Sequence, residues 1–253
     1  MAMGSERALA VVTGASSGIG RELAAQCLAH DFDVVVCAEG PEIAQVAEEL
    51  AGRDGHALPV LADLATAEGC DELIECIRDL YRPVDALLLH AGVGVDGAFI
   101  ETDLDRELDM IELNCGHIVR IAKAIVPDMV RRRQGRVLLT GSVVRTKPAP
   151  HAAVYAATRA FVRSFGEALR RELADTGVTV TVLQSGATDT HFFARADLEN
   201  AEVARDKQDS PARVARHGFE AMMAGKASVL AGSFAKKAES TMPDTTQAKP
   251  PSH

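Results

Sequence analysis

Short apolar runs alternate along the chain with longer segments whose apolar residues repeat at helical spacing. Several of the short runs are apolar throughout, as is typical of strands covered on both faces. The predicted strands are Leu9–Thr13, Val34–Cys37, Leu58–Leu61, Ala86–Leu89, Val137–Thr140, Val178–Leu183 and Ser228–Ala231. The predicted helices lie near 19–29, 42–51, 67–80, 102–132, 153–175 and 211–224. This order predicts an α/β fold in three layers, with about seven parallel strands in a doubly wound sheet between helices.

The chain has 253 residues and shows no internal linker, repeat or block of charge. We therefore expect a single domain over residues 1–239. Residues 240–253 have the polar, proline-containing composition of a disordered tail.

Charge and cysteine content narrow the class of protein. The net charge of −9 argues against a general nucleic-acid or anionic-membrane surface, and no apolar run approaches the roughly 20 residues of a membrane span. The first residues do not have the pattern of a secretory signal. The five cysteines are odd in number and lack the spacing of metal ligands. We expect a soluble, cytoplasmic protein without a metal site.

A glycine-rich turn joins the first predicted strand to the first predicted helix. Such a turn lets a pyrophosphate approach the backbone, and the helix N-terminus offers N–H groups and partial positive charge to the phosphates. The pattern is typical of a Rossmann-type dinucleotide site, although a turn that merely packs well is the alternative. Its residues are Thr13, Gly14, Ala15, Ser16, Ser17, Gly18, Ile19 and Gly20.

Glu39 follows the second predicted strand, 19 residues after Gly20. An acid at this place accepts hydrogen bonds from the adenosine ribose hydroxyls and repels a 2′-phosphate. The sequence thus favours NAD, with NADP possible. The alternative is a solvated loop glutamate.

The spacing of the three glycines resembles that of the short-chain dehydrogenase/reductases, and the resemblance covers roughly residues 7–232. It includes Asp63 and Leu64 after the third strand, His90, Ala91 and Gly92 after the fourth, Asn114 in the long helix, and Ser142 and Tyr155, which are 13 residues apart. Gly186, Thr188 and Thr190 after the sixth strand resemble the segment that contacts the nicotinamide carboxamide.

The resemblance implies a hydride transfer between nicotinamide and a small carbonyl compound or secondary alcohol. By resemblance Tyr155 is the acid/base, Ser142 holds the substrate oxygen, and Asn114 belongs to a proton relay. The alternatives are an interfacial tyrosine, a serine at a strand end and an asparagine at a helix cap. A tyrosine hydroxyl ordinarily titrates near pH 10, so a neighbouring cation matters for general acid–base work at neutral pH.

Three positions depart from the family pattern around this site. The expected lysine four residues after Tyr155 is Arg159, which stays cationic but cannot pass a proton. The expected asparagine before Ala91 is His90, for which a packing role is the simplest interpretation. The expected proline before Gly186 is Ser185. Cofactor binding is therefore the firmer inference and reduction the weaker one.

Other residues near the predicted substrate side are ambiguous. His151 and His191 offer replacement proton carriers, although exposed loop histidines are the simpler interpretation. Phe192 and Phe193 line an apolar pocket or anchor a lid.

The helices over 102–132 and 153–175 carry apolar residues on more than one side, which predicts a homodimer or homotetramer. The residues concerned are Ile118, Ile121, Ile125, Phe161, Phe165 and Leu169.

Two other functions remain open beside an oxidoreductase. One is an enzyme that binds a dinucleotide but performs non-redox biosynthetic chemistry, and the other is a non-catalytic paralogue.

Overall fold

The computed structural model describes residues 7–51, 55–142, 151–185 and 209–231. Several residues of interest lie outside the described residues: Gly186, Thr188, Thr190, His191, Phe192, Phe193 and the 240–253 tail, together with the side chain of Ser142.

Strands and helices alternate as the apolar pattern predicts. The strands are β1 Ala8–Thr13, β2 Phe32–Ala38, β3 Ala57–Leu61, β4 Ala86–Leu89, β5 Gly135–Ser142, β6 Val178–Ser185 and β7 Ser228–Ala231. The helices are α1 Gly18–Ala29, α2 Glu42–Ala51, α3 Ala67–Asp79, α4 Leu104–Ile111, α5 His117–Arg132, α6 Ala153–Glu172 and α7 Pro211–Met223. Most of the predicted element ends differ from these by a few residues.

The seven strands form one parallel sheet in the order β3-β2-β1-β4-β5-β6-β7. The order reverses between β1 and β4, which makes the carboxyl ends of these two strands the switch point where open α/β sheets bind ligands. The predicted doubly wound fold is confirmed.

Both faces of the sheet are covered by helices. One core lies under α3, α5 and α6 and includes Leu9 and Val11, whereas the other lies under α1, α2 and α7 and includes Ala10 and Val12. Successive residues of β1 therefore enter opposite cores, which explains why this strand is apolar throughout.

The edge strand β3 is less well covered than its sequence suggests. Leu58 and Leu61 are 38% and 57% exposed, because among the described strands β3 lies at the edge of the sheet beside β2. Pro59 is compatible with this place because an edge strand has fewer hydrogen bonds for its missing N–H to interrupt.

The long helix predicted over 102–132 is interrupted. A π-helical segment, Glu112–Gly116, lies between α4 and α5 and contains the buried Asn114. Segments of this kind are frequent at functional sites because one extra residue per turn re-aims a side chain.

The apolar residues of α5 and α6 are mostly explained by the core. Ile118, Ile121 and Ile125 are buried in it, and Phe161, Phe165 and Leu169 pack partly buried against it. The sheet thus covers much of this apolar surface, and the homodimer or homotetramer stays a prediction. Among the exposed apolar side chains of the described residues, Leu104, Leu108 and Ile111 all belong to α4.

A search of the described residues finds no helix with the length and apolar character that crossing a membrane demands.

Candidate active site

The glycine-rich turn leaves β1 and folds back on itself before α1 begins. Gly14 has φ +67°, a conformation that side chains disfavour, and the Ala15 amide donates to the Cys37 carbonyl at 3.1 Å. A Cβ on Gly20 would overlap the Gly14 carbonyl oxygen. Glycine is thus required at both positions for the turn to close.

The first turn of α1 presents its amides at this place. Ser17 is the N-cap residue in an extended conformation, and its side chain makes no capping hydrogen bond to the helix. No acidic residue lies in the first turn. The glycine turn, the helix N-terminus and half-buried Ser16 therefore fit a pyrophosphate group, as the sequence predicts. Ile19, by contrast, is buried in the core beneath α1.

The two predicted acids at strand ends differ in their surroundings. Glu39 is exposed directly after β2. Asp63 also is exposed, but its Oδ1 accepts a hydrogen bond from the Ala65 amide at 2.9 Å, and Leu64 is buried in the core. Glu39 is the freer of the two to meet a ligand, while Asp63 holds the loop before α3.

The turn after β4 is fastened to β1. The amides of His90 and Ala91 both donate to Thr13 Oγ1, at 3.0 and 3.1 Å. The His90 ring lies under the glycine turn, since its Cδ2 is 2.7 Å from the place of a Cβ on Gly20. His90 Nδ1 and Thr140 Oγ1 share a hydrogen bond of 3.1 Å. His90 therefore joins the phosphate turn to the end of β5.

Asn114 reaches this turn from the π-helical segment. Its Oδ1 accepts from the Val93 amide and its Nδ2 donates to the Val93 carbonyl, both at 2.9 Å. The same Nδ2 lies 3.0 Å from Thr158 Oγ1 on α6. The amide group of Asn114 thus ties α6 to the loop after β4.

Arg159 is buried with its guanidinium turned into the protein. Nη1 donates to the Thr140 carbonyl at 3.3 Å and Nη2 to Asn114 Oδ1 at 3.5 Å. A Cβ on Gly92 would lie 2.8 Å from Nη2. The guanidinium fills the space between the end of β5, the π-helical segment and Gly92. Nε is buried and has no partner among the described residues.

Tyr155 lies in the first turn of α6 and is 8% exposed. The Arg159 Cζ atom is 4.9 Å from the centroid of its ring, which is cation–π distance. The structure therefore brings Tyr155, Arg159 and Asn114 together. The backbone of Ser142 ends β5 in register with Ser185 of β6, at the same edge of the sheet.

Three residues of this site were not predicted from the sequence: Thr140, Thr158 and His117. Thr140 lies near the carboxyl end of β5, where the sheet places functional groups, and Thr158 precedes Arg159. His117 follows Asn114 by three residues and so projects from the same side of the helix. Strand-end threonines and helical spacing were thus the available signals.

His117 is 1% exposed, and neither ring nitrogen has a hydrogen-bond partner among the described residues. Burial lowers its pKa to about 4; the nearby Leu113 carbonyl opposes this shift and Arg159 adds to it. Burial likewise lowers the pKa of His90 to about 4, with smaller contributions from Arg159 and His117. Both imidazoles are therefore neutral at neutral pH.

His151 is exposed, with φ +63°, and its carbonyl accepts from the Gly97 amide. This is the solvent-exposed loop histidine that the simpler interpretation expects. Among the described residues no cluster of histidine, cysteine or acidic side chains is suited to a metal ion.

Comparison with known proteins identifies relatives of this chain. Residues 8–201 match the model of the short chain dehydrogenase family. The chain is 33% identical over 202 residues to the 3-oxoacyl-[acyl-carrier-protein] reductase FabG of Escherichia coli, covering 79% of this chain and 82% of that protein.

Two solved structures are similar as well. A short-chain dehydrogenase from Sphingobium yanoikuyae in complex with NADPH superposes with a TM-score of 0.83 at 23% identity, over 96% of this chain and 98% of that one. A Beutenbergia cavernae protein described as a putative NAD(P)-dependent gluconate 5-dehydrogenase, with bound NADP, gives 0.77 at 28% identity, over 88% and 94%.

The neutral, buried histidines make stability depend on pH. Because the folded pKa lies below the unfolded value of about 6.5, the unfolded state binds more protons, and stability falls as pH drops from about 6.5 towards 4. We expect His117 to account for a loss of about 2 kcal/mol in unfolding free energy between pH 7 and pH 5. Urea unfolding of the parent and of His117→Met at both pH values measures this contribution.

His117→Met should lose less stability on acidification than the parent, by that amount. His56→Asn, which alters an exposed histidine, is the matched control and should follow the parent. An unchanged pH dependence in His117→Met would contradict the assignment.

Proposed function

The chain belongs to the short-chain dehydrogenase family, and we propose that it is an oxidoreductase that moves hydride between a nicotinamide cofactor and a small carbonyl compound or secondary alcohol. The observation that carries this proposal is the convergence of Tyr155, Arg159 and Asn114 beside the glycine-rich turn. Names and bound cofactors of the relatives support it.

The cofactor, when bound, supplies or accepts the hydride at its nicotinamide ring. The chain's own part begins with the turn at Gly14 and Gly20, whose backbone and helix N-terminus favour the pyrophosphate. Thr13 fixes the His90–Ala91 amides, so the floor of the cofactor site is held rigidly. The residues present therefore fit a dinucleotide.

Tyr155 is the proton carrier in this proposal. Its hydroxyl gives a proton to the substrate oxygen during reduction and takes one during oxidation. The Arg159 guanidinium lies over the Tyr155 ring at cation–π distance and so helps to hold the ring in place. Ser142, at the end of β5, is the residue we assign to holding the substrate oxygen.

A second function is favoured by one observation. Arg159 is engaged by the Thr140 carbonyl and by Asn114, and a guanidinium does not release protons near neutral pH. A relay through residue 159 is thus closed, which fits a dinucleotide-binding protein with non-redox chemistry or none. Turnover distinguishes this alternative from the proposal.

Replacing Tyr155 by phenylalanine tests the proposed chemistry. We expect turnover of NADH with a panel of small ketones to fall at least 100-fold, since the transferable proton is gone. NADH affinity, measured by fluorescence titration, should change little. Tyr81→Phe is the control, because Tyr81 is the only other tyrosine and is 92% exposed. A parent without turnover, or a variant that retains it, would refute the proposal.

Glu39 is proposed to set the preference for NAD. The exposed carboxylate at the end of β2 repels a 2′-phosphate, so NADH should bind at least tenfold more tightly than NADPH. Glu39→Gln should narrow that ratio, whereas Glu75→Gln, on the exposed side of α3, should not. Calorimetric titration with both cofactors gives the ratio. A preference of the parent for NADPH would show that Glu39 does not face the ribose.

We propose a homodimer or homotetramer in which the exposed stripe on α4 is covered. Leu104, Leu108 and Ile111 are 68%, 49% and 37% exposed and lie on one side of the helix. Light scattering at micromolar concentration should give a multiple of the 26.8 kDa chain mass. Leu104→Glu with Leu108→Glu should yield monomers, while Leu61→Glu on β3 should not. A monomeric parent would overturn this.

A further inference from the structure

We propose that His90 is a positioning residue for Arg159, acting through Thr140, so that the two departures from the family pattern form one matched pair. This inference rests on the proposed function, because it concerns the cation beside Tyr155. It explains why a histidine and an arginine occur together where the family pattern has asparagine and lysine.

Thr140 contacts both members of the pair. Its hydroxyl shares a 3.1 Å hydrogen bond with His90 Nδ1, and its carbonyl accepts Arg159 Nη1 at 3.3 Å. Thr140 itself is 6% exposed and lies two residues before the end of β5. The His90 imidazole thus fixes the side chain of Thr140, and the backbone carbonyl of Thr140 accepts the hydrogen bond from Arg159.

The sizes of the two side chains also correspond. The imidazole fills the space beneath the glycine turn, with Cδ2 at 3.3 Å from the place of a Cβ on Gly14. An asparagine is shorter and leaves part of that space empty. The guanidinium in turn donates with one nitrogen to the Thr140 carbonyl and with another to Asn114 Oδ1, whereas an ammonium group has a single nitrogen.

The charges of the groups near Arg159 also support the pairing of His90 with Arg159. Titratable groups that interact with Arg159 include Tyr155, His90 on the loop after β4, Cys115 in the π-helical segment and His117 on α5. Burial keeps both imidazoles neutral, because their pKa values lie at about 4, and raises the pKa of the Cys115 thiol to about 11. The two imidazoles and the thiol therefore place no competing charge beside the buried cation, and His90 adds a neutral dipole.

A double-mutant cycle tests the pairing. The variants are His90→Asn, Arg159→Lys and the double variant, with kcat and KM measured for ketone reduction and Kd for NADH. Each single variant should lower kcat about tenfold or more with little change in KM. The double variant, which restores the family's pair, should return to within about threefold of the parent. Losses that simply multiply would overturn the pairing.

The route through Thr140 has its own test. Thr140→Val keeps the carbonyl and removes the hydroxyl, so it should lower kcat as His90→Asn does. His90→Asn should then cause no further loss in the Thr140→Val background. A full additional loss would show that His90 acts by another route. His56→Asn is the matched control for an exposed histidine.

A stability measurement tests the pairing even if the proposed function is wrong. If the parent turns over no carbonyl compound, the same four proteins of the cycle are compared in urea unfolding. If the double variant loses less unfolding free energy than the two single variants lose together, the result supports the pairing without redox chemistry. Additive losses in both turnover and stability would overturn the pairing whatever the function is.

Discussion

The guanidinium of Arg159 is a buried charge, and its surroundings determine the arrangement of the site. Burying a charge is costly unless polar groups receive it. Within the part of the chain that the structure describes, the Thr140 carbonyl, Asn114 Oδ1 and the face of the Tyr155 ring do so. Each comes from a different element, so the cation holds β5, the π-helical segment and α6 in one geometry.

The parallel sheet supplies the frame for that geometry. Adjacent strands β1, β4 and β5 end at the same edge, where they present Thr13, His90 and Thr140 side by side. These three residues connect the glycine-rich turn to the cation, and through it to Tyr155. The glycine-rich turn and the Tyr155 ring are thereby joined by a chain of direct contacts.

The parts of the fold that the sequence predicts are those with a periodic or glycine-dependent signal. The apolar strands and the turn at Gly14 and Gly20 are of this kind, because buried strands and close backbone approaches limit the residue types. The π-helical segment was not predictable, since it accompanies a contact of Asn114 with Val93, which is distant in the chain. Helix periodicity likewise did not reveal that Ile118 and Ile121 face the sheet, while Leu104 and Leu108 face outward.

In the candidate site, too, some features were predictable from the sequence and others were not. Tyr155, Asn114 and Arg159 were predicted to lie together, but the direction of the guanidinium was not, because its main acceptor is a backbone carbonyl that any residue carries. The role of His90 depends in turn on that direction. Sequence alone therefore left it as a simple packing residue.

The most direct test of this account is a crystal structure of the chain grown with NAD, examined at Arg159. The account predicts that Nη1 remains within hydrogen-bonding distance of the Thr140 carbonyl and Nη2 of Asn114 Oδ1, with His90 bonded to the Thr140 hydroxyl. A guanidinium turned away from Thr140, with His90 no longer contacting the Thr140 hydroxyl, would contradict it.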